Sequence, residues 1–345
     1  MKNYTSGKSF RLVFAMVLAM SMVLCSVAAL ANDTITLVWY PNESAADYEP
    51  AREEFYSLIA EATGKNVVER LTTDYAIAIE AVAGGTAQIC FMGAQGYIEA
   101  RNKSENVMPL FVNSGASGTL DDAIYYSWIC VPTENAGNYM ADGEYTIEGI
   151  QGQKISFVSN SSTSGFKVPT NAILALFSQT EEWKDIDVDD LIEGGRNHFF
   201  AEVLFGGSHQ GSAVNILSGK ADLGTVCDTE MAPYMVLVSG EESQVGSVYE
   251  VKADASAPFD TLVGKQMTII KSVPVLNGPF VYNAGTLSEE DVNAIQALFT
   301  SDMVANNPQI FVSSDSGLVG MFKKTAGERF VMVDDAWYNP IREMR

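Results

Sequence analysis

A run of hydroxyl side chains before a helix-like segment is the part of the sequence best suited to bind an anion. Residues 159–169 read SNSSTSGFKVP, so Ser162, Thr163 and Ser164 stand directly before a glycine. The first N–H groups of a helix have no partner within the helix, and the helix dipole places partial positive charge there. Three hydroxyl donors beside such amides suit phosphate, phosphonate or phosphite. A simple helix cap is an equally good interpretation of the spacing, since Ser and Thr are preferred capping residues.

Four further side chains are candidates for the same site. His209, in GGSHQGS, stands where another helix should begin, and an imidazole there can donate a hydrogen bond to an anion. Tyr75 and Tyr97 each follow a predicted strand at the start of a helix, although tyrosines are more often core residues. Asp228 ends the predicted strand GTVCD, and its carboxylate would repel an anion unless it binds a cationic group or an acidic P–OH.

The segments that must position these residues alternate between strand and helix patterns. TITLVWYPN, KNVVERLT and AQICFMG are typical of strands, whereas DYEPAREEFYSLIAEATG and DYAIAIEAVAGG have helical spacing and end at glycine. The alternation resumes after the apolar run DDAIYYSWICVPT. It predicts an α/β fold with parallel sheets, in which ligands lie at the carboxyl ends of strands.

Two stretches with the same scheme, residues 74–93 and 208–228, predict two similar lobes that face each other across a ligand cleft. We assign residues 32–128 plus 273–345 to the first lobe and residues 129–272 to the second. Two crossing strands, near residues 126–131 and 271–279, should form the hinge about which a ligand closes the lobes.

The first 31 residues predict a secretory signal peptide. Three basic residues and no acidic one precede the apolar run 12–24, and ALA at 29–31 suits cleavage before Asn32. We prefer simple cleavage to lipid attachment at Cys25, because the preceding MVL lacks the small residues expected beside a lipidated cysteine. Loss of three positive charges changes the formal net charge from −22 to −25. The sequence thus predicts a periplasmic or otherwise extracytoplasmic protein.

Composition argues against several classes of partner and cofactor. Such an acidic chain is a poor partner for nucleic acid or an anionic membrane. The three later cysteines, Cys90, Cys130 and Cys227, lie in apolar strand-like runs, which favours buried thiols while leaving one disulfide pair open. With two histidines and no CxxC motif, we expect neither a metal site nor another cofactor.

Taken together, the motifs resemble the phosphate, phosphite and phosphonate substrate-binding proteins of ABC importers. The resemblance covers nearly the whole chain after residue 31, through VWYPNES, DYAIAIEAV, GAQGYIEA, STSGFKVP, GSHQGSAVNILSGKADLGTV and SVPVLNGPFVYN. It implies the two-lobed type II periplasmic binding protein fold, a small phosphorus oxyanion as ligand and an ABC permease in the membrane as partner. The residues that it implies for the oxyanion are Ser162, Thr163, Ser164, Tyr75, Tyr97 and His209. It implies Asp228 for the far end of the ligand.

The chain departs from that family mainly at the far end of the predicted site. Gly278 stands in Asn-Gly-Pro where the family often has Asn-Asp-Pro, and Gln210 and Gly211 stand where small or acidic residues are common. Asp228 and Glu230 are both near the strand end that should supply the acidic group. The identity of the ligand therefore stays open.

A secreted hydrolase is the alternative from another functional class. Ser164, His209 and Asp228 could be combined into a triad, but they stand at three separate strand ends. GxSxG, Walker and HExxH motifs are absent from the sequence. We therefore expect a monomeric binding protein without catalytic activity. A ligand-sensing protein for another small molecule is the second alternative.

Overall fold

The structure is a computed structural model that describes residues 33–313, 316, 318 and 320–344. The predicted signal peptide, including Cys25 and the cleavage site, lies outside the described residues. Within them, the chain forms two large mixed β-sheets with helices packed against both.

The strands and helices follow one another as the alternating pattern predicts. In chain order the strands are β1 (Thr34–Trp39), β2 (Asn66–Leu71), β3 (Ile89–Phe91), β4 (Val107–Asn113), β5 (Ile124–Pro132), β6 (Met140–Ala141), β7 (Glu144–Tyr145), β8 (Lys154–Phe157), β9 (Glu202–Phe205), β10 (Leu223–Cys227), β11 (Met235–Ser239), β12 (Val248–Val251), β13 (Gln266–Leu276), β14 (Pro279–Asn283), β15 (Phe311–Ser313), β16 (Phe322–Lys324) and β17 (Phe330–Val331). The α-helices are α1 (Glu49–Thr63), α2 (Tyr75–Ala83), α3 (Ala94–Lys103), α4 (Val168–Phe177), α5 (Val188–Ile192), α6 (His209–Leu217), α7 (Asp228–Met231), α8 (Glu289–Phe299), α9 (Asp302–Ala305) and α10 (Asn339–Arg342).

The first sheet has the strand order β17-β4-β14-β3-β1-β2. Strand β1 pairs in parallel with β2 and β3, whereas β14 runs antiparallel to β3 and β4. An aromatic core covers this sheet: Phe55 of α1 stacks on Phe280 of β14 with ring centroids 5.0 Å apart, and Trp39 of β1 meets both rings at an edge. This core fixes β1, from whose end the chain enters the candidate site.

The second sheet has the strand order β11-β12-β13-β5-β10-β8-β9. Strand β8 is parallel to β9 and β10, whereas β5 is antiparallel to β10 and β13. The prediction of parallel sheets was therefore incomplete. Strands joined by crossover helices are parallel, as predicted, but the long strands β5 and β13 and the short strand β14 run antiparallel to their neighbours.

The two long strands β5 and β13 pair with each other within the second sheet. Their register places Pro132 opposite Met267 at one end and Ile124 opposite Leu276 at the other, with one irregularity between Ile269 and Lys271. Most of the residues predicted for the hinge, 126–131 and 271–279, belong to this pair. The lobe boundaries and the motion about them stay predictions.

Local signals set several of the helix ends. The side chain of Asp74 accepts the N–H of Ala76 at 2.7 Å and so caps α2, as its position in the sequence predicts. Helix α1 ends at Gly64, whose φ of 68° is the left-handed conformation that glycine adopts readily. Pro169 lies in the first turn of α4.

The cysteines and the hydropathy of the helices agree with the composition. Cys90, Cys130 and Cys227 are free and buried, so the predicted buried thiols are confirmed. Among the described helices, none combines the length and the hydropathy needed to cross a bilayer.

Candidate functional site

A cavity of about 90 Å³ lies where loops from the two sheets meet. The polar side chains in its wall are those of Tyr40, Asn42, Glu43, Tyr48, Tyr75, Asn113, Tyr125, Ser162, Thr163, Ser164, His209, Cys227, Thr229, Glu230 and Asn277. Phe91, Met92, Met321 and Phe322 supply apolar surface. The described part of this wall contains no lysine or arginine, so an anion held here would rely on neutral donors.

The hydroxyl turn, Ser162–Ser164, forms one side of the cavity and follows β8. Ser162 Oγ accepts the N–H of Gly165 at 3.0 Å, so this serine caps the π-helical turn Thr163–Lys167. A Cβ at Gly165 would lie 2.3 Å from Cγ2 of Val158, which is why glycine is required. The cap uses only a lone pair of Ser162 and leaves its O–H available. The cap interpretation is therefore confirmed for Ser162. Donation of its O–H to an anion stays a prediction.

Two strands of the second sheet fix the backbone of the hydroxyl turn. Ser127 Oγ of β5 donates to the carbonyl of Ser164, and Thr225 Oγ1 of β10 donates to the carbonyl of Gly165, both at 2.6 Å. These bonds are buried, so the hydroxyl donors are held in place before any ligand arrives.

Thr163 connects the hydroxyl turn to the first sheet. Its Oγ1 accepts the N–H of Gln95, in the first turn of α3, at 2.9 Å. A Cβ at Gly93 would approach the same oxygen to 2.6 Å, so this close contact needs glycine. Because the oxygen accepts from Gln95, the Thr163 hydrogen remains available for donation.

His209 begins α6 and its imidazole lies beside the hydroxyl turn. Its Nε2 is 3.4 Å from Oγ of Ser164, and the side chain is buried in the cavity wall. Burial lowers the pKa of His209 to about 3, so the ring is neutral near pH 7. Its Nδ1 has no hydrogen-bond partner among the described residues.

Tyr75 lies in the cavity wall as predicted, but Tyr97 does not. The Tyr97 hydroxyl donates to Oδ1 of Asp335 at 2.5 Å, and its ring packs against Tyr338 with centroids 5.2 Å apart. Both tyrosines lie in the first turns of helices. Tyr75 is the first residue of α2, whereas Tyr97 is the fourth residue of α3 and faces the C-terminal segment of the chain. Tyr97 thus packs against the C-terminal segment, outside the cavity wall.

Asp228 is also placed differently from the prediction. Its Oδ1 accepts the N–H groups of Tyr126 at 2.9 Å and Thr229 at 2.8 Å, and the residue lies outside the cavity wall. Burial raises the pKa of Asp228 to about 6. The bonds to backbone amides also leave Asp228 without a contact to His209. The geometry of a Ser164–His209–Asp228 triad, in which the acid orients the imidazole, is thus not assembled.

The acidic side chains in the cavity wall are Glu43 and Glu230. Glu43 follows β1 and is 4% exposed, and its Oε2 has no partner among the described residues. Glu230 accepts a hydrogen bond from Nε2 of Gln210 at 3.1 Å. Burial raises the pKa of Glu43, and the nearby Glu230 raises it further. Burial likewise raises the pKa of Glu230, with a contribution from Asp228. A carboxyl in such a place keeps its proton readily and can then donate a hydrogen bond.

Sequence reasoning missed Tyr125, Asn42 and Glu43 as members of the wall. Tyr125 of β5 lies in the same wall as Ser164 and Thr163. A usable signal existed for Asn42 and Glu43, because they follow the buried strand β1 directly in VWYPNES. No local signal marks Tyr125, which reaches the site only because β5 pairs beside β10.

Residues 37–338 match the family described as ABC transporter, phosphonate, periplasmic substrate-binding protein. The chain belongs to this family. Its members are transport proteins named for binding a substrate outside the cytoplasm, which agrees with the predicted export and with a function in binding.

Individual relatives show the same kinship. The phosphate-import protein PhnD of Mycolicibacterium smegmatis is 26% identical over 214 residues, which are 59% of this chain and 58% of that protein. The match thus spans little more than half the length of that relative.

Solved structures establish the fold. A binding protein component of an ABC phosphonate transporter from Pseudomonas aeruginosa superposes with a TM-score of 0.59 at 17% identity, over 90% of this chain and 85% of that one. PhnD1 from Prochlorococcus marinus, solved in complex with methylphosphonate, gives a TM-score of 0.61 at 14% identity, over 90% and 97%. The predicted type II periplasmic binding protein fold is therefore confirmed.

Proposed function

We propose that this chain is the extracytoplasmic solute-binding component of an ABC importer and that it holds a phosphonate, phosphite or phosphate in the cavity. The observation that carries this proposal is the convergence of the hydroxyl turn, His209 and Tyr75 on one buried space whose described wall has no lysine or arginine. Fixed neutral donors in a site screened from water bind an oxyanion strongly, because the donors need no reorganisation.

Each donor has a defined part in this proposal. Ser162 and Thr163 donate their hydroxyl hydrogens to the ligand, because their oxygens already accept from Gly165 and Gln95. Ser164 and Nε2 of His209 lie side by side and face the same ligand oxygen. Tyr75 donates from the side of the first sheet.

The carboxyl groups of Glu43 and Glu230 restrict what the ligand carries at its other end. Two carboxylates beside an anion repel it unless a proton or a positive group separates them. A phosphonate with an amino group, or an oxyanion that keeps an acidic P–OH, satisfies this condition. These two glutamates take the far-end role that the sequence suggested for Asp228.

The same proposal covers the lobes and the partners. Closure of residues 129–272 on residues 32–128 plus 273–345 would bring the hydroxyl turn against α3, as in the contact of Thr163 with Gln95. The closed monomer would then deliver its ligand to an ABC permease in the membrane.

Isothermal titration of the protein expressed without residues 1–31 tests this function. The titrants are phosphate, phosphite, methylphosphonate and 2-aminoethylphosphonate, with sulfate as a control that lacks phosphorus. We expect saturable heat with at least one phosphorus compound. Absence of heat with all four contradicts the proposal, and turnover of a chromogenic phosphoester would support a hydrolase instead.

A further inference from the structure

Asn42 connects the two sheets within the cavity wall. Its Oδ1 accepts the backbone N–H of His209 at 3.1 Å, and its Nδ2 donates to the hydroxyl of Tyr75 at 2.7 Å. The residue is 5% exposed, and both bonds are buried. One amide group thus contacts a donor helix of the second sheet and a tyrosine beside the first.

The amide of His209 fixes the orientation of the Asn42 side chain. A backbone N–H can only donate, so the Asn42 oxygen must face His209. The Asn42 nitrogen must then face Tyr75, whose oxygen accepts. The reverse orientation would set the Asn42 nitrogen against the N–H group and leave buried polar groups unpaired, which is destabilising.

This bond determines what the Tyr75 hydroxyl can do. Because its oxygen accepts from Asn42, its single hydrogen remains for donation, and no described residue accepts that hydrogen. The Tyr75 ring is held against Tyr40 with centroids 4.1 Å apart, so it cannot turn freely. Burial raises the pKa of Tyr75, which keeps the hydroxyl protonated.

We propose that Asn42 is a positioning residue that makes Tyr75 an obligate hydrogen-bond donor into the cavity, so that the ligand must present an unprotonated oxygen there. The inference rests on the proposed function, because the acceptor is taken to be an oxygen on phosphorus. Asn42 itself acts through Tyr75. The acidic P–OH or amino group of a ligand is accordingly directed away from Tyr75 and toward the carboxyl groups.

A double-mutant cycle with methylphosphonate, phosphite, phosphate and 2-aminoethylphosphonate tests this role. Asn42→Asp keeps an acceptor for the His209 amide but replaces the donor to Tyr75 by an oxygen, so Tyr75 turns its hydrogen to the new carboxylate. Tyr75→Phe should weaken binding roughly 10- to 100-fold in the wild type. The same change should cost less than about 3-fold in the Asn42→Asp background, since interacting residues are not additive. Equal losses in both backgrounds overturn the proposal.

Asn113→Asp is the matched control, because Asn113 lies in the wall but has no contact with Tyr75 among the described bonds. It adds the same charge, and Tyr75→Phe should keep its full effect beside it. A small effect of Tyr75→Phe in this control background would show that added charge alone removes the coupling, and the proposal would fail.

Two readouts need no ligand and separate this inference from the proposed function. Hydrogen exchange of the His209 amide, followed by NMR, should be slow in the wild type and in Asn42→Asp but faster in Asn42→Ala. The Raman doublet of Tyr75, isolated by subtracting the spectrum of Tyr75→Phe, should change from an accepting to a donating hydroxyl in Asn42→Asp. If the wild type binds no phosphorus compound but both readouts behave as stated, the proposed function is wrong, whereas the positioning of Tyr75 by Asn42 is supported. Unchanged exchange in Asn42→Ala and an unchanged doublet in Asn42→Asp contradict the positioning of Tyr75 by Asn42.

Discussion

Two groups of side chains in the cavity wall, the hydroxyl turn and the pair Glu43 and Glu230, differ in charge and in how their polar atoms are paired. At the hydroxyl turn, the donors are neutral, and their oxygens are already paired with backbone amides of Gly165 and Gln95. In the second group, Glu43 is buried with an oxygen that has no partner among the described residues, and Glu230 lies in the same wall. Under the proposed function, neutral fixed donors would hold the anion in an acidic chain, and the carboxyl groups would determine which anion is accepted.

The largest effect is expected when the hydroxyl turn is made acidic as well. Ser164→Asp places a carboxylate in the hydroxyl turn and should reduce affinity for the best phosphorus ligand by more than about 100-fold, because juxtaposed like charges cost several kcal/mol. Asn160→Asp adds the same charge at an exposed position of the same loop and should leave titration heats nearly unchanged. Similar affinities for the two variants would show that the ligand does not contact the turn.

Removing single hydroxyl groups tests the part that each residue of the hydroxyl turn has in binding. Ser164→Ala and Thr163→Val should each weaken binding by about 1–3 kcal/mol in titration, since each deletes a hydrogen bond to a charged group. Thr163→Ser keeps the hydroxyl and should lose much less. An unchanged affinity in both deletion variants would reduce the turn to a helix cap.

Glu43 and Glu230 should affect the pH dependence of stability. Burial raises the pKa of Glu43 and of Glu230 above the ordinary value of 4.5, so the folded protein holds protons that the unfolded chain releases. The corresponding stability is complete below pH 4.5 and is lost as the pH rises through the raised values. Glu230→Gln should therefore flatten the fall in the free energy of unfolding between pH 5 and pH 8, roughly, as measured by denaturant titration.

The exposed Glu241 supplies the control for that measurement. Glu241→Gln should keep the slope of the wild type, because its carboxyl is solvated in both states. A Glu230→Gln variant with the wild-type slope would mean that Glu230 is not held protonated by burial.

The smallest expected effect concerns Tyr97, which lies outside the cavity wall. Tyr97→Phe loses the bond to Asp335 and should lower the free energy of unfolding by about 0.5–1.5 kcal/mol without changing ligand affinity. Tyr75→Phe should do the opposite, with a clear loss of affinity. A loss of affinity in Tyr97→Phe comparable to that of Tyr75→Phe would restore the sequence prediction.

Much of the fold follows from local sequence because its signals are local. Asp74 caps α2 and Gly64 ends α1 through contacts within a few residues, so both could be predicted. The mixed character of the sheets could not, since the antiparallel pairing of β5 with β13 joins residues more than 130 positions apart.

The site residues likewise divide into those marked by local sequence and those placed by contacts distant in the chain. The hydroxyl turn and His209 are short motifs at strand ends, and the structure places both in the cavity wall. Tyr97 was indistinguishable from Tyr75 by sequence position, because its partner Asp335 is 238 residues away. Tyr125 was missed for the same reason, since its neighbours in the site come from another part of the chain.

The central claim is that the hydroxyl turn binds phosphorus oxygens. A crystal structure of the protein with the tightest-binding of the four phosphorus compounds tests it most directly. We expect the phosphorus atom in the cavity, with its oxygens within hydrogen-bonding distance of Ser162, Thr163 and Ser164 and the rest of the ligand toward Glu43 and Glu230. A ligand bound elsewhere, or one whose phosphorus group faces the glutamates, would contradict it.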